Sequence, residues 1–448
     1  MKIAVITHHF PPNYNAGGEQ YAYRLCKYLI SHGHNVEVVT VESNKEGTLQ
    51  PESKFEKYEE IPVNRLFFNL QDPTNQFELT YRNPYIGKWV KDFLQRTQPD
   101  LVHFNSGYLF GGVAIEEAKG LKIPTVLTLH EYWFLCPTGT LYRTNGQVCE
   151  EMCPSARCAW VQLQEKRRYR IPNELSRHRL EKTIVSLSKW TNFQKMIGIN
   201  SMIVSIEDRR DYLKRILQDI DVVLSPSRFL IQKFQDFGFN TSNIRYQPFG
   251  LDLKLPEPDH SQVSSSKRVL RIGYLGQFAS HKGIHVLIKA FQNLRYPDGM
   301  CKLFLFGKYS PDSPYGKQLS DLIKKPDDII FRGSYDNTKV GQILSQLDVI
   351  VVPSIWYENR PTVIVEALSA DRPVIASKIG GIVELVNDEI NGLLFEPGSD
   401  NELTEKLQRL LDEPNLLLRL KAGIDPVYTI EEEMSAIISV YQSLIGQR

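Results

Sequence analysis

Two glutamates in the C-terminal half carry the clearest chemical signal in this chain of 448 residues. Glu358 follows a short apolar run, and Glu366 lies eight positions later in a pattern typical of a helix. If the helix begins near Pro361, which suits a first turn because it lacks an N–H, several backbone N–H groups there have no helical partner. Two carboxylates beside a row of N–H donors suit a polyhydroxylated ligand that carries phosphate.

A second candidate binding segment runs from Gly276 to Gly283, between a predicted strand and a predicted helix. A glycine at a strand end lets the backbone approach a ligand closely. Lys282, at the start of the helix, can reach a phosphate as a point charge. A surface turn with a solvated lysine is the alternative, and the position after the first strand of this half favours phosphate binding. Arg332, after a later strand, is a candidate contact for a base or phosphate, or part of a plain loop.

The N-terminal half offers two further candidates at strand ends. Gly17 and Gly18 precede a helix whose free N–H groups can face an anion. His130 follows a predicted strand, and ligands bind at the C-terminal ends of parallel strands. A plain turn and a histidine satisfied by nearby backbone are the alternatives. No G-x-G-x-x-G follows the first strand, which argues against a nicotinamide dinucleotide site.

Four of the six cysteines lie within 23 residues, at Cys136, Cys149, Cys153 and Cys158. Four thiolates can bind one Zn²⁺ ion tetrahedrally, and the ion would brace a loop. In a reducing compartment a metal is favoured over disulfides. The sequence therefore predicts a structural metal here, with an iron–sulfur cluster or free buried thiols as alternatives.

The elements that must position these residues follow the pattern of an α/β protein. Short apolar runs alternate with amphipathic segments in both halves, which is typical of βαβ units and parallel sheets. The predicted strands are 3–7, 36–41, 101–104, 125–129, 222–225, 270–275, 303–306, 329–331, 349–352 and 374–376. The predicted helices are 19–31, 86–95, 229–237, 284–294, 340–347, 363–370, 402–411 and 429–445.

Length and composition favour two domains, because 448 residues exceed one ordinary core. A polar stretch rich in proline and serine predicts a linker at 253–267 between domains at 1–252 and 268–424. About 90 residues, near 131–220, break the alternation and predict an insertion with helices. Two Rossmann-like domains joined in this way would leave a ligand-binding cleft at the C-terminal ends of their strands.

Charge and hydropathy exclude several classes of protein. The net charge is +1 and apolar residues make up 42%, which is typical of a globular protein. No apolar stretch approaches the roughly 20 residues that span a bilayer, and the N-terminus predicts a strand and not a signal peptide. We therefore expect a cytoplasmic protein with reduced thiols. Residues 157–215 hold fourteen Lys or Arg against six Asp or Glu, which predicts a solvated helical face or, alternatively, a surface for an anionic membrane or lipid-phosphate acceptor.

The segment from Glu358 to Glu366 resembles the E-x7-E motif of retaining GT-B glycosyltransferases of family 4. The Gly-Gly loop, the strand-end histidine and the Gly…Lys-Gly loop occur in the order of that family, and the cysteines are similar to those of a subset with a Cys-rich loop. The resemblance implies an α/β GT-B fold of two Rossmann-like domains facing across a cleft. It also implies that a C-terminal helix, 425–448, crosses back to the first domain.

The resemblance assigns roles to individual residues. Glu366 would bind the nucleotide ribose and Glu358 would lie at the donor sugar. Gln277 stands where the family commonly has arginine, and Asn359-Arg360-Pro361 stands where many members have Gly-Phe-Gly. The catalytic residues implied are His130, Glu358 and Lys282. The donor-binding residues implied are Gly17, Gly18, Gly276, Gln277, Lys282, Arg332, Asn359, Arg360, Pro361, Thr362 and Glu366.

The resemblance implies transfer of a sugar from a nucleotide diphosphate sugar to an acceptor hydroxyl, with retention of configuration. No cofactor is expected for catalysis, and a structural Zn²⁺ is expected at the cysteines. The expected partners are the donor and a saccharide or lipid-linked acceptor of polysaccharide or glycan assembly, with peripheral contact to the inner membrane face and no nucleic acid. A nucleotide-sugar epimerase of the same fold and an inactive nucleotide-sugar-binding protein are the alternatives.

Overall fold

The chain forms two compact units, Met1–Gln247 with Met434–Arg448 and Pro248–Glu433. No helix among the described residues is both long and apolar enough to cross a bilayer. Most of the predicted linker, 257–267, lies outside the described residues. The computed structural model describes residues 1–70, 76–143, 146–164, 167–176, 180–188, 190, 194–195, 197–256, 269–324 and 326–446.

The first unit is built on an eight-stranded sheet in the order β3-β4-β2-β1-β5-β6-β7-β8. Only the edge strand β3 is antiparallel to its neighbour. β1 pairs in parallel with both β2 and β5, so these strands end at one edge of the sheet. The strands are β1 Lys2–Thr7, β2 Asn35–Ser43, β3 Glu52–Tyr58, β4 Ile61–Phe67, β5 Leu101–Asn105, β6 Thr125–Thr128, β7 Val222–Ser225 and β8 Ile244–Tyr246.

Helices flank this sheet and fill the insertion between β6 and β7. Sequence features fix their starts: the Asn83 side chain accepts hydrogen bonds from two N–H groups of the first turn of α3, and Ser227 caps α9. The insertion has a small apolar core that includes Trp160, Ile184 and Ile203. The helices are α1 Gly17–Ser31, α2 Gln76–Leu79, α3 Pro84–Thr97, α4 Val113–Gly120, α5 Ser155–Leu163, α6 Arg167–Leu175, α7 Leu180–Leu187, α8 Asn200–Asp219 and α9 Arg228–Asp236.

The second unit is built on a six-stranded, fully parallel sheet in the order β11-β10-β9-β12-β13-β14. Its central strand β12 is buried along its whole length, because helices cover both faces. The strands are β9 Leu270–Leu275, β10 Cys301–Phe306, β11 Ile329–Gly333, β12 Val349–Val352, β13 Val374–Ser377 and β14 Gly392–Phe395. The helices are α10 Ile284–Gln292, α11 Pro314–Leu322, α12 Val340–Ser345, α13 Thr362–Ser369, α14 Asp400–Asp412 and α15 Leu416–Ala422, and the last helix, α16 Ile430–Ile445, begins in this unit.

The C-terminal part of α16, from Met434 onward, belongs to the first unit. Tyr441 is fully buried, and its hydroxyl is hydrogen-bonded to His103 Nδ1 on β5. His103 Nε2 lies 2.7 Å from Thr128 Oγ1 on β6. Burial lowers the pKa of His103 to about 3, so the ring is neutral at neutral pH and both nitrogens have a hydrogen-bond partner. This polar chain ties the last helix to two central strands.

The prediction of an α/β fold with two parallel-sheet domains is confirmed. All ten predicted strands are present, with ends within two residues of those expected. Four strands escaped prediction: β3, β4, β8 and β14. β3 alternates charged residues on an exposed edge, and β4 contains a proline and two buried polar residues, Asn64 and Arg65, so neither shows an apolar run.

Replacing Tyr441 by Phe is expected to lower the free energy of unfolding by about 1–3 kcal/mol, because the neutral His103 ring loses the partner of Nδ1 in a buried place. Urea denaturation of both proteins measures the difference. Ser439→Ala on the same helix is the control, since Ser439 is exposed and bonds only within the helix. A Tyr441→Phe protein as stable as the control would contradict this role of the hydroxyl.

Candidate functional site

A buried carboxylate lies at the C-terminal end of β12. Glu358 stands on the loop between β12 and α13 and is 7% exposed. Its Oε1 atom accepts hydrogen bonds from Lys282 Nζ at 2.7 Å, Ser354 Oγ at 2.7 Å and Trp356 Nε1 at 2.8 Å. The two predicted residues Glu358 and Lys282, far apart in sequence, are therefore in direct contact.

The surroundings of Glu358 favour its charged form. Burial alone would raise the pKa of this carboxyl, but the charge of Lys282 and the three hydrogen bonds together lower the pKa below its ordinary value. The Lys282 ammonium also lies 4.9 Å from the centre of the Trp356 ring. The site thus holds a fixed negative charge and a partly exposed positive charge side by side.

The loop that carries Lys282 packs directly on the loop that carries Glu358. The backbone N–H of Ile355 donates to the carbonyl of His281 at 2.9 Å. Gly283 has φ +71°, and a Cβ there would lie 1.8 Å from the carbonyl oxygen of Pro353. Only glycine fits this turn, so the Lys282-Gly283 pair sets the distance between the two loops.

A second glycine pair, which the sequence analysis missed, closes the other side of Glu358. The N–H of Gly381 donates to the Glu358 carbonyl at 2.7 Å, and a Cβ on Gly381 would lie 1.6 Å from the carbonyl oxygen of Asn359. Adjacent glycines shortly after a strand, at Gly380 and Gly381, were the available signal. They hold the Glu358 loop against the turn that follows β13.

The remaining predicted donor residues of this unit lie around the same strand ends. Gly276 directly follows β9 and donates its N–H to the carbonyl of Phe306 at the end of β10, at 3.0 Å. The side chain of Gln277 is exposed. Arg332 is also exposed, and its guanidinium lies 5.3 Å from the centre of the Phe304 ring.

Helix α13 begins at Thr362, one residue before the predicted helix 363–370, with Pro361 at its N-cap. No side chain caps this start, and among the first-turn groups the N–H of Ile364 donates to the carbonyl of Pro361 at 3.1 Å. Asn359 and Arg360 precede it on the loop and are half-buried. Glu366 lies on the helix close to Tyr335, whose pKa is raised to about 12, first by burial and then by the Glu366 charge.

In the first unit, His130 and Gly18 are joined through Asn105 at the end of β5. His130 Nε2 is hydrogen-bonded to Asn105 Oδ1, and Asn105 Nδ2 donates to the carbonyl of Gly18 at 3.0 Å. Burial holds the pKa of His130 well below its usual value, so the ring is neutral. Gly17, next to Gly18, is exposed. Asn105 was missed, although a polar residue closing an apolar strand is a recognisable signal.

Two acidic side chains lie close to these residues. His8 Nε2 and Glu19 Oε1 are 3.3 Å apart, and Glu19 is buried. Glu131 follows His130 and accepts hydrogen bonds from Ser106 Oγ at 2.8 Å and from the N–H of Trp133. Burial raises the pKa of Glu131. This strand end therefore offers a neutral imidazole among ordered carboxyl groups.

The four clustered cysteines are all described, and none forms a disulfide. The sulfurs of Cys149 and Cys153 lie 3.3 Å apart, whereas Cys136 Sγ lies 3.1 Å from Thr138 Oγ1. In the described part of the chain, no three His, Cys, Asp or Glu side chains are arranged to hold a metal ion. A structural Zn²⁺ at Cys136, Cys149, Cys153 and Cys158 therefore stays a prediction.

Two Rossmann-like units of this kind define the GT-B class of α/β proteins. The family model described as Glycosyltransferase Family 4 matches residues 15–255, and the model for Glycosyl transferases group 1 matches 257–424. The chain therefore belongs to the family 4, group 1 glycosyltransferases.

Similar proteins span nearly the whole chain at low identity. The GDP-mannose-dependent alpha-mannosyltransferase of Corynebacterium glutamicum is 22% identical over 88% of this chain and 77% of its own. Sucrose-phosphate synthase of Thermosynechococcus elongatus superposes with a TM-score of 0.67 at 20% identity, covering 100% of both chains. HepE of Anabaena, solved with UDP and glucose, gives 0.65 at 17% identity, covering 99% of this chain and 100% of its own.

Replacing Glu358 by Gln is expected to lower the free energy of unfolding at pH 7 by about 1–3 kcal/mol, because Lys282 loses its charged partner. The pKa of Glu358 is lower in the folded chain than its ordinary value of 4.5, so this stabilisation is present above that value and is lost as pH falls below it. Urea denaturation at pH 7 and near pH 4 should show the difference from wild type narrowing at the lower pH.

The exposed Glu405 on α14 gives the control substitution, Glu405→Gln. A Glu358→Gln defect of equal size at both pH values would contradict an ionised Glu358.

Proposed function

We propose that this chain is a retaining glycosyltransferase that moves a sugar from a nucleotide diphosphate sugar to an acceptor hydroxyl. The observation that carries the proposal is the contact between Lys282 and the buried Glu358 at the C-terminal ends of β9 and β12, where open parallel sheets bind ligands. A fixed carboxylate suits sugar hydroxyls, and a half-exposed ammonium beside it suits a diphosphate.

Lys282 has the larger role in the chemical step. Departure of the nucleoside diphosphate places new negative charge on its leaving oxygen, and a preorganised ammonium stabilises that charge as it develops. Before the donor arrives, Glu358 and the Trp356 ring hold Lys282 in place. No divalent metal is invoked in this step.

Glu358 acts as an orienting group in this proposal and not as a nucleophile. All three of its hydrogen bonds converge on Oε1, so Oε2 is the oxygen offered to a hydroxyl of the donor sugar. A carboxylate held by an ammonium and two further donors is a weak nucleophile. Retention would then follow from attack of the acceptor on the face that the diphosphate leaves.

The other predicted residues complete the donor site. Glu366 would accept hydrogen bonds from the ribose, beside the Tyr335 ring. The uncapped N–H groups at the start of α13 would bind hydroxyl or phosphate oxygens. In the first unit, the neutral His130 held by Asn105 would hydrogen-bond a sugar or position the acceptor.

The relatives support the class of substrate and the biological role. Their names include a GDP-mannose-dependent mannosyltransferase, a lipopolysaccharide N-acetylglucosaminetransferase of Salmonella typhimurium and a capsular polysaccharide glycosyltransferase of Staphylococcus aureus. HepE was solved with UDP-glucose. We therefore infer a role in polysaccharide or lipid-linked glycan assembly. The exposed Arg167, Arg168 and Arg170 of α6 would favour peripheral contact with an anionic membrane.

Binding of the donor tests the assigned residues. Isothermal titration with UDP, GDP, ADP and their sugars, without added metal, should reveal one preferred nucleotide. Lys282→Ala and Glu366→Ala should each weaken its binding about tenfold or more, because each removes a charged hydrogen-bond partner. Lys317→Ala, an exposed lysine of the same unit, is the matched control. Affinities that match the control would contradict the assignment.

The stereochemistry of the product tests the reaction. With the preferred donor and an acceptor, proton NMR of the first product formed should show the anomeric configuration of the donor. An inverted linkage would contradict the retaining mechanism. A changed sugar that stays on the nucleotide would indicate an epimerase instead.

A further inference from the structure

The loop that carries Cys136, Cys149 and Cys153, called the Cys-rich loop below, contains a close contact between two sulfurs. The proposed sugar transfer does not use this contact. Cys149 and Cys153 have their sulfurs 3.3 Å apart, and both side chains are almost fully buried. We propose that Cys149 and Cys153 form a reversible dithiol–disulfide site that peroxides oxidise. This inference does not depend on the proposed function.

An arginine is aimed at both sulfurs. Arg143 Nε lies 3.2 Å from Cys149 Sγ, and Arg143 Nη2 lies 3.6 Å from Cys153 Sγ. The guanidinium group has only donors and keeps its charge, so it stabilises negative charge on the sulfurs that face it. Electropositive surroundings favour the thiolate, which is the nucleophile in thiol oxidation.

The backbone holds the two cysteines at this distance. Cys149 donates its N–H to the carbonyl of Leu141 at 2.7 Å, across a hairpin closed by a bridge between Tyr142 and Val148. The carbonyl of Cys153 accepts a hydrogen bond from Arg210 Nη2 on α8 at 2.6 Å. Both ends of the pair are therefore anchored, and the approach of the sulfurs belongs to the fold of the loop.

Cys158 also shares a side-chain hydrogen bond with Cys153, but its backbone is held differently. Its sulfur accepts a hydrogen bond from Arg210 Nη2 at 3.3 Å, and its backbone lies in α5. A helical backbone fixes the direction of its side chain, whereas Cys149 and Cys153 lie on irregular chain outside helices and strands. The irregular pair can make the small adjustment that closes a disulfide.

The oxidation balances with one peroxide. One sulfur of the pair attacks a peroxide oxygen, forms a sulfenic acid and releases water when the peroxide is hydrogen peroxide. The second sulfur then attacks the sulfenic sulfur, the S–S bond forms, and a second water carries away the oxygen and the last proton. The two thiols lose two electrons and two protons in all, and a dithiol reductant reverses the change. In a reducing compartment such a disulfide is transient.

Peptide mapping provides the test. The purified full-length chain is treated with hydrogen peroxide, free thiols are blocked with N-ethylmaleimide, and the chain is digested with trypsin. Cleavage after Arg143 and Arg157 places Cys149 and Cys153 in one peptide and Cys158 in the next. We expect the 144–157 peptide to carry no N-ethylmaleimide and to be two hydrogens lighter than its free dithiol form. When a dithiol reductant is applied before the blocking step, we expect the same peptide to be blocked at both cysteines.

Matched variants sharpen the result. Cys149→Ser should abolish the internal link, whereas Cys136→Ser should leave it intact, because Cys136 contacts Thr138 and not the pair. Arg143→Gln should slow oxidation about tenfold, since it removes a charge-assisted hydrogen bond. The fully buried Cys26 and Cys301 serve as internal standards that stay reduced.

Three outcomes would overturn the proposal. One is a 144–157 peptide that stays fully blocked after peroxide treatment. Another is a link from Cys153 to Cys158 in place of the internal link. The third is zinc or iron at one ion per chain in the purified protein, measured by plasma emission, which would make the cluster a metal centre.

Discussion

A buried carboxylate whose surroundings favour its charged form holds two loops of the second unit together. Glu358 lies where a charge is costly, and its environment compensates for that cost with an ammonium, a hydroxyl and an indole N–H. The residues that supply these donors stand on two loops that follow different strands. The charge of Glu358 holds the two loops together. The geometry of the site therefore depends on the same contacts that pack the strand ends. Glycines at the contact points allow the backbones to come this close.

In the first unit, neutral histidines lie in the corresponding buried positions near the strand ends. His130 and His103 are both buried, and burial lowers the pKa of each, so hydrogen bonds and not charges hold them. His103 joins the last helix to the sheet, and His130 joins the Gly17-Gly18 turn to β5 through Asn105. The two imidazoles are therefore ordered by neutral polar contacts, while the carboxyl groups of Glu19 and Glu131 lie close to His130.

Sequence reasoning predicted the parallel sheets well because their strands are short apolar runs separated by amphipathic helices. It also selected Lys282 and Glu358 as candidates, but from two separate motifs. Their mutual contact, and the roles of Ser354 and Trp356, depend on loop conformations that pattern alone does not encode. Asn105 was overlooked although it closes an apolar strand, because one polar residue adds nothing to the periodicity from which the strands were predicted.

Strand β3 escaped prediction for a different physical reason. Strand β3 lies on an exposed edge where charged residues alternate, so its pattern is that of a loop. The two compact units divide after Gln247, and the linker expected at 253–267 stays a prediction. The cysteine spacing predicted a cluster but could not show which side chain each sulfur contacts.

Two consecutive arginines on α8 anchor two segments of the chain that follows β6. Arg210 reaches the Cys-rich loop, while Arg209, fully buried, donates to the carbonyl of Trp133, three residues after His130. Successive side chains on a helix point about 100° apart, so one rigid turn fastens two separate segments at once. The insertion is thus a brace for the loop after β6. The length of this loop is constrained. An insertion or deletion between residues 133 and 153 would move the carbonyl of Trp133 or of Cys153 away from the arginine that it binds.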